Sequence, residues 1–250
     1  MTADAARRLA APIAAAAAAA LAAVAAAHAG SEATERYISY LESPQRGEWQ
    51  KPAEVVQVLG VRSGQRITDL GAGTGYFARR LARAVGPSGH VDAADVDPSL
   101  LADLQKRAQA EGLTNVVARR VSADDPALPA HGADLVFLCN SYHHLRDRIA
   151  YLQKLLPGLE ADGRVAVVDF HKRPDIVEGP PFAEKVARET VVEEFHRAGF
   201  SLDREESFLP LQYFLVFRPT AAYSFGPLVR EIAGVMGARA PSREKQRQSL

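Results

Sequence analysis

Short apolar runs recur along the middle of the chain, most of them separated by stretches whose apolar residues repeat every three or four positions. Ile67 and Leu70 straddle Thr68 and Asp69 as in a short buried strand; Phe77, Leu81 and Val85 then share one helical face opposite Arg79, Arg80 and Arg83. A second strand ends at Asp95, and Asp97-Pro98 reads as a helix N-cap followed by proline at the first helical position, with Leu100, Leu104 and Ala108 as the buried stripe. The pattern predicts a third strand over 116–121 and a fourth over 133–139, then a helix marked by Ile149, Leu152, Leu155 and Leu156 that ends near Pro157-Gly158. Residues 161–164 read as a turn into a fifth strand, VAVVDF, and 184–196 as an amphipathic helix stopped by Gly199. Two last strand-like runs, 200–208 and 212–217, are joined by Leu209-Pro210-Leu211. That link is too short for a parallel crossover and implies an antiparallel hairpin. Ahead of the first strand, Pro52 opens a helix carrying Val55, Val56 and Leu59, closed by Gly60.

Between the first strand and its helix stand Gly71, Gly73 and Gly75. Strand, tight glycine turn and helix open a nucleotide-binding α/β domain, because a backbone without Cβ atoms lets a ligand approach closely. The spacing narrows the ligand. A dinucleotide site needs glycine where this chain has the bulky Tyr76, and the phosphate-loop pattern G-x-x-x-x-G-K-[ST] is missing here. The pattern is D-x-G-x-G-x-G from Asp69, and an acid at the strand end suits a cationic ligand with an amino-acid tail. It resembles motif I of the class I S-adenosylmethionine (SAM) dependent methyltransferases. Trp49-Gln50-Lys51-Pro52 upstream, Tyr142-His143-His144 and the final Gln212-Tyr213-Phe214-Leu215-Val216-Phe217 extend the resemblance over roughly residues 46–218, to a bacterial methyltransferase-domain group. Five alternating β/α units closed by an antiparallel hairpin give the same answer: an α/β, Rossmann-like doubly wound sheet with the class I methyltransferase topology.

The resemblance implies a cofactor site. Asp69, Gly71, Ala72, Gly73 and Gly75 meet the methionine portion of SAM, Asp95 the ribose, Asp124 the adenine and Asn140 the region near sulfur. Asp95 lies about 20 residues beyond the glycine turn, where an acid can accept hydrogen bonds from both ribose hydroxyls. Asn140-Ser141-Tyr142 departs from the N-P-P-[YF] motif of amino-directed enzymes, which makes planar amide and exocyclic amine acceptors less favoured. Tyr142, His143 and His144 crowd the carboxyl edge of the fourth strand, and His143 or His144 is the candidate base where the acceptor must lose a proton. The alternative for these side chains is that they only shape the pocket. Neighbouring histidines seldom converge on one ion, so no metal is expected. Asp169 and His171 lie at the carboxyl end of the fifth strand, and Trp49 and Gln50 are candidates to line the pocket from the N-terminal side.

Composition fits a small-molecule enzyme. The 250 residues carry 30 basic and 30 acidic side chains, a formal net charge of zero, with no basic block of the kind that tracks nucleic acid. One cysteine, Cys139, excludes an internal disulfide. Residues 1–29 stand apart: Arg7-Arg8, an alanine-rich run and Ala27-His28-Ala29 read as a secretory signal peptide, with an uncleaved anchor and an untargeted extension as the other readings. Alanine drives insertion poorly, so no stable membrane span is expected, and the signal reading places the protein outside the cytoplasm. Residues 30–60 then form a helical cap, 61–218 the SAM-binding domain and 219–250 an extension with a short amphipathic helix around Phe225–Val235 and a disordered polar end. Two function classes follow: a methyltransferase acting on a small molecule, or an exported SAM- or nucleoside-binding protein without turnover. Oligomeric state is open at this level.

Overall fold

The structure, a computed structural model, describes residues 32–220. The expected signal peptide and the expected tail helix lie outside them. Residues 32–41 are helical (α1), followed by α2 (Arg46–Gln50) and α3 (Pro52–Leu59). Lys51, at φ 43°, joins α2 to α3 at a sharp angle, and Pro52 occupies the first turn of α3. Then come β1 (Arg66–Leu70), α4 (Ala78–Val85), β2 (His90–Asp95), α5 (Pro98–Ala110), β3 (Val116–Arg120) and β4 (Ala133–Cys139). The chain continues through α6 (Arg148–Leu155), β5 (Leu159–Phe170), α7 (Arg188–Arg197), β6 (Phe200–Glu206) and β7 (Gln212–Pro219).

The seven strands form one sheet in the order β3-β2-β1-β4-β5-β7-β6. β1 to β5 run parallel, and β7 pairs antiparallel with both β5 and β6, which is the expected hairpin. Period-2 alternation feeds two cores. Leu135, Phe137 and Cys139 of β4 face the cluster under α3, α4 and α5, while Val136 and Leu138 face the one under α6 and α7. With both faces covered, β4 reads as an unbroken apolar run from Leu135 to Cys139. Among the described residues no helix is long and apolar enough to cross a membrane.

Three details differ from the expected pattern. No helix separates β3 from β4, so the five β/α units are not all complete: Pro126 and Pro129 interrupt that connection and favour an irregular loop. The expected turn at 161–164 lies inside β5, where Ala133 pairs with Leu159 and Leu135 with Arg164, so three extra residues bulge from the ladder. The helix expected from 184 starts at Arg188, because Glu184 and Lys185 donate their N–H groups back to the Pro181 carbonyl at 2.9 and 3.2 Å and close a separate turn.

The chain winds outward from β1 to β3, then returns to the other side of β1 with β4. A crevice opens between the carboxyl ends of β1 and β4, the place where open α/β sheets bind ligands.

Candidate active site

A cavity of about 860 Å³ occupies that crevice, a volume suited to a cofactor together with a small molecule. Its floor is the glycine turn. Gly71 and Ala72 donate N–H bonds to the Ala94 carbonyl at 2.8 and 3.1 Å, stapling the turn to the end of β2. All three glycines have positive φ, yet they serve different ends. A Cβ on Gly71 would lie 2.4 Å from Ser141 Cβ, and one on Gly75 2.6 Å from Leu104 Cγ, so these two permit close packing of β4 and α5. A Cβ on Gly73 would meet only Leu41 Cδ1 at 3.5 Å. Gly71, Ala72, Gly73 and Thr74 all line the cavity, and of the three glycines Gly73 is the one with open space where a Cβ would stand.

Asp95 anchors the turn from β2. Its Oδ2 accepts from the Gly73 N–H at 2.8 Å and its Oδ1 from the Asp97 N–H at 2.9 Å. It is only 8% exposed, and that surface opens onto the cavity. Asp69 sits deeper, behind the turn and off the cavity wall. Burial pushes its carboxyl up to about 7, helped by the Asp95 charge, against the pull of Arg46 and the Ala78 N–H. Asp124 does not reach the cavity. It is exposed, and its carboxylate accepts from Ser122 Oγ at 2.7 Å within its own turn, while Ser122 and Ala123 form the wall. The adenine contact assigned to Asp124 is therefore not supported by this arrangement.

The opposite wall comes from the N-terminal cap. Tyr37 and Tyr40 of α1 stack on one another at 6.5 Å, and the end of α1 is tied to the glycine turn through Glu42. Glu42 accepts from Thr74 Oγ1 at 2.5 Å and from the buried Arg79 guanidinium at 2.6 Å. Arg46 also lines the cavity. It donates to the Leu41 carbonyl at 2.8 Å and to Gln50, and stacks 4.1 Å above the Tyr76 ring. Trp49 and Gln50 do not line the cavity. Trp49 packs on Phe170, and Gln50 is buried beneath the floor, where its Nε2 donates to Cys139 Sγ at 3.0 Å and to Gln212 Oε1 at 3.1 Å. Gln212 in turn donates to the Asn140 side chain. Arg46, Gln50, Gln212 and Asn140 form one chain of hydrogen bonds tying α2 and β7 to the end of β4. Asn140, at φ 55°, lies on the cavity wall in a conformation asparagine tolerates better than most side chains.

Beyond Asn140, residues 142–144 form a 3₁₀ turn, whose roughly 120° per residue sends successive side chains apart. Tyr142 goes inward and away from the cavity: it is fully buried, and its hydroxyl donates to Glu194 Oε2 at 2.6 Å, beside the Arg148–Glu194 ion pair. A catalytic role for Tyr142 does not fit that placement. Burial first, then the hydrogen bond to Glu194, raises its pKa. His143 and His144 both line the cavity, with ring centroids 4.1 Å apart. Burial and the neighbouring His143 lower the pKa of His144. His143 is held by Asp169, whose two oxygens lie 3.0 and 2.9 Å from ring Nδ1. His171 turns away from the cavity and packs on Tyr213.

Two features beside the site were not read from the sequence: the pairing of Asp169 with His143, and the place of Arg46 on the wall. Asp169 sits on the expected strand edge, but nothing local pairs it with a histidine 26 positions earlier. Arg46 carries only a weak signal, its four-residue spacing from Gln50 on one helical turn.

Comparison with known proteins agrees with this geometry. Residues 67–163 match the methyltransferase domain family. The ubiquinone/menaquinone biosynthesis C-methyltransferase UbiE of Pseudomonas putida is 30% identical over 118 residues, 47% of this chain and 46% of that protein. The chain thus spans about half the length of that relative. A SAM-dependent methyltransferase from Aquifex aeolicus superposes with a TM-score of 0.69 at 24% identity, over 73% of this chain and 96% of that one. The [4+2]-cyclase SpnF superposes at 0.57 with 17% identity, over 66% and 80%, so the fold alone does not fix the reaction. Over residues 67–163 the chain is thus similar to the methyltransferase domain family, and its sheet order and glycine-acid cradle agree with that likeness to the class I SAM-dependent methyltransferases, whose cofactor is S-adenosylmethionine.

Proposed function

We propose that this protein transfers a methyl group from SAM to a small-molecule acceptor. The observation that carries the proposal is the Asp95–Gly73 pairing on the cavity floor. Each carboxylate oxygen already accepts one backbone N–H, which fixes its direction, and retains capacity for one more donor. Two adjacent hydroxyls of a ribose match that arrangement. The residues present fit the rest of the cofactor as well. Gly73 leaves room for an amino-acid tail, the Arg46 guanidinium suits its carboxylate, and the Asp95 carboxylate on the cavity wall favours its positive charge.

When bound, the cofactor supplies a methyl group already made electrophilic by its sulfonium. The protein's own residues supply position. Asn140 and Ser141, fixed by Gln212 and by a 2.8 Å bond to the Leu70 carbonyl, hold the β4 end against the glycine turn. Tyr37, Tyr40 and the Pro180-Pro181 segment add apolar surface to the cavity wall. His143 and His144 line the same cavity and supply a proton acceptor for an acceptor group that must be deprotonated.

The test is calorimetric titration of the full chain with SAM and with S-adenosylhomocysteine. Micromolar binding is expected, about −8 kcal/mol, with at least a hundredfold loss in Asp95→Ala and in Gly73→Arg. Absence of binding by folded protein, or unchanged affinity in both variants, rejects the proposal. A screen with methyl-labelled SAM then identifies acceptors.

A further inference from the structure

Asp169 is 2% exposed and fully engaged. Its Oδ1 accepts the Phe170 N–H at 2.8 Å, its Oδ2 the His143 backbone N–H at 3.2 Å, and both oxygens face the His143 ring nitrogen Nδ1. One carboxylate thus holds the backbone and the ring of the same residue, and its own direction is fixed by its neighbour in the chain. The two side chains are 5% and 3% exposed, so water does not compete for the contact. Because a carboxylate accepts, the neutral ring in this geometry carries its hydrogen on Nδ1 and leaves Nε2 with a lone pair. Nε2 has no hydrogen-bond partner among the described residues, while His143 forms part of the cavity wall.

We infer that Asp169 is a positioning residue that presents His143 Nε2 to the cavity as a proton acceptor, and that the acceptor molecule therefore reacts through a hydroxyl. The inference rests on the methyl-transfer reading and names its acceptor class. A neutral amine attacks through its lone pair without a base, and a thiol ionises close to neutral pH by itself. A hydroxyl is a poor nucleophile until its proton leaves; an activated carbon acid shares that need, but only the O–H can hydrogen-bond to a fixed imidazole lone pair before transfer, which makes the hydroxyl the better match. The proton of the acceptor O–H passes to Nε2 as the oxygen pair forms its bond to the methyl carbon, and the methyl–sulfur pair stays on sulfur. The products are a methyl ether, S-adenosylhomocysteine and a proton, held on the imidazole beside Asp169 until solvent removes it. The imidazolium is stabilised there by a buried carboxylate at hydrogen-bond distance.

The experiment reads the tautomer of His143 directly. The full chain with ¹⁵N-labelled histidine is studied by long-range ¹H–¹⁵N NMR at neutral pH, with and without S-adenosylhomocysteine, using His143→Gln to assign the signal. The wild type is expected to show the Nδ1–H form with unprotonated Nε2, and Asp169→Asn to lose that preference while keeping affinity for S-adenosylhomocysteine within about threefold. Phenol, as a minimal hydroxyl probe, is expected to shift Nε2 in the wild type, and anisole, the same ring without the O–H, to leave it unmoved. An Nε2–H tautomer in the wild type, an unchanged tautomer in Asp169→Asn, or equal responses to phenol and anisole overturns the inference. Should Asp169→Asn fail to fold, the wild-type tautomer and the phenol–anisole contrast decide it. Loss of S-adenosylhomocysteine binding by the wild type would instead reject the methyl-transfer reading, since the tautomer measurement needs no cofactor.

Discussion

Gly71→Ala tests how the cavity floor is built. The new Cβ would sit 2.4 Å from Ser141 Cβ and 3.0 Å from its Oγ, at a backbone φ of 75°. A non-glycine residue in the left-handed region costs roughly 1–2 kcal/mol, of which about 0.4–1 kcal/mol is offset by the stiffer unfolded chain. The overlap with Ser141 adds roughly 1–3 kcal/mol, as for other overpacked sites, because Ser141 is pinned by its 2.8 Å bond to the Leu70 carbonyl. The expected total is about 2–4 kcal/mol. Gly73→Ala, with comparable backbone strain but its nearest neighbour at 3.5 Å, is expected to cost only about 1 kcal/mol. Replacing Ser141 by glycine removes the clashing atom at a cost of roughly 1 kcal/mol for the lost hydrogen bond. In the Gly71→Ala background it is therefore expected to recover part of the loss, with a coupling of about 1–3 kcal/mol. Urea unfolding followed by far-ultraviolet circular dichroism measures the wild type and the four variants, and each kcal/mol also moves the melting temperature by roughly 2–4 °C in a domain of this size. Equal destabilisation by Gly71→Ala and Gly73→Ala, or additive effects in the cycle, would refute the idea that the Gly71–Ser141 approach sets the crevice.

The remaining predictions concern individual side chains. The Asp69 carboxyl, raised to about 7 in the folded protein, holds its proton more tightly than in the unfolded chain. Its contribution to stability is therefore greatest at low pH and is lost as pH rises from about 4 to about 7. Asp69→Asn should remove that dependence, to a ceiling of roughly 4 kcal/mol; parallel urea curves for the two proteins at pH 5 and pH 8 would contradict it. Tyr142→Phe should cost about 1 kcal/mol or somewhat more of stability and leave methyl transfer within about twofold, since Glu194 keeps Arg148; a large fall in kcat with intact stability would return Tyr142 to the reaction. Asp124→Ala should leave SAM affinity unchanged by calorimetry, and a tenfold loss would place its carboxylate at the cofactor after all. Arg46→Met should weaken SAM binding by about tenfold or more, the scale of one charge-assisted contact, and unaltered affinity would remove Arg46 from the cofactor wall.

Much of the frame was legible from local pattern. β4 runs over the residues its apolar stretch marks, Asp97 caps α5 through the Ser99 N–H as its position before Pro98 implies, and the short link after β6 makes the hairpin. These features depend on near neighbours, and near neighbours are what periodicity and capping report. The irregularities were less visible. A bulge inside β5 looks in sequence like any glycine-containing turn, and it belongs to the strand only because Arg164 finds Leu135 as its partner.

The sequence alone pointed to the class of ligand through its glycine spacing, a covalent fact that sets how closely a molecule can approach the backbone. It also determined the strand edges on which chemistry is possible. Only the tertiary structure decided which side chains serve it. Asp124 spends its carboxylate on its own turn, Tyr142 turns into the core, and Asp169 and Arg46 enter from elements distant in sequence. The reason is geometric: side chains one residue apart diverge in a tight turn, whereas a parallel sheet brings the carboxyl ends of strands far apart in sequence to a few ångströms of each other.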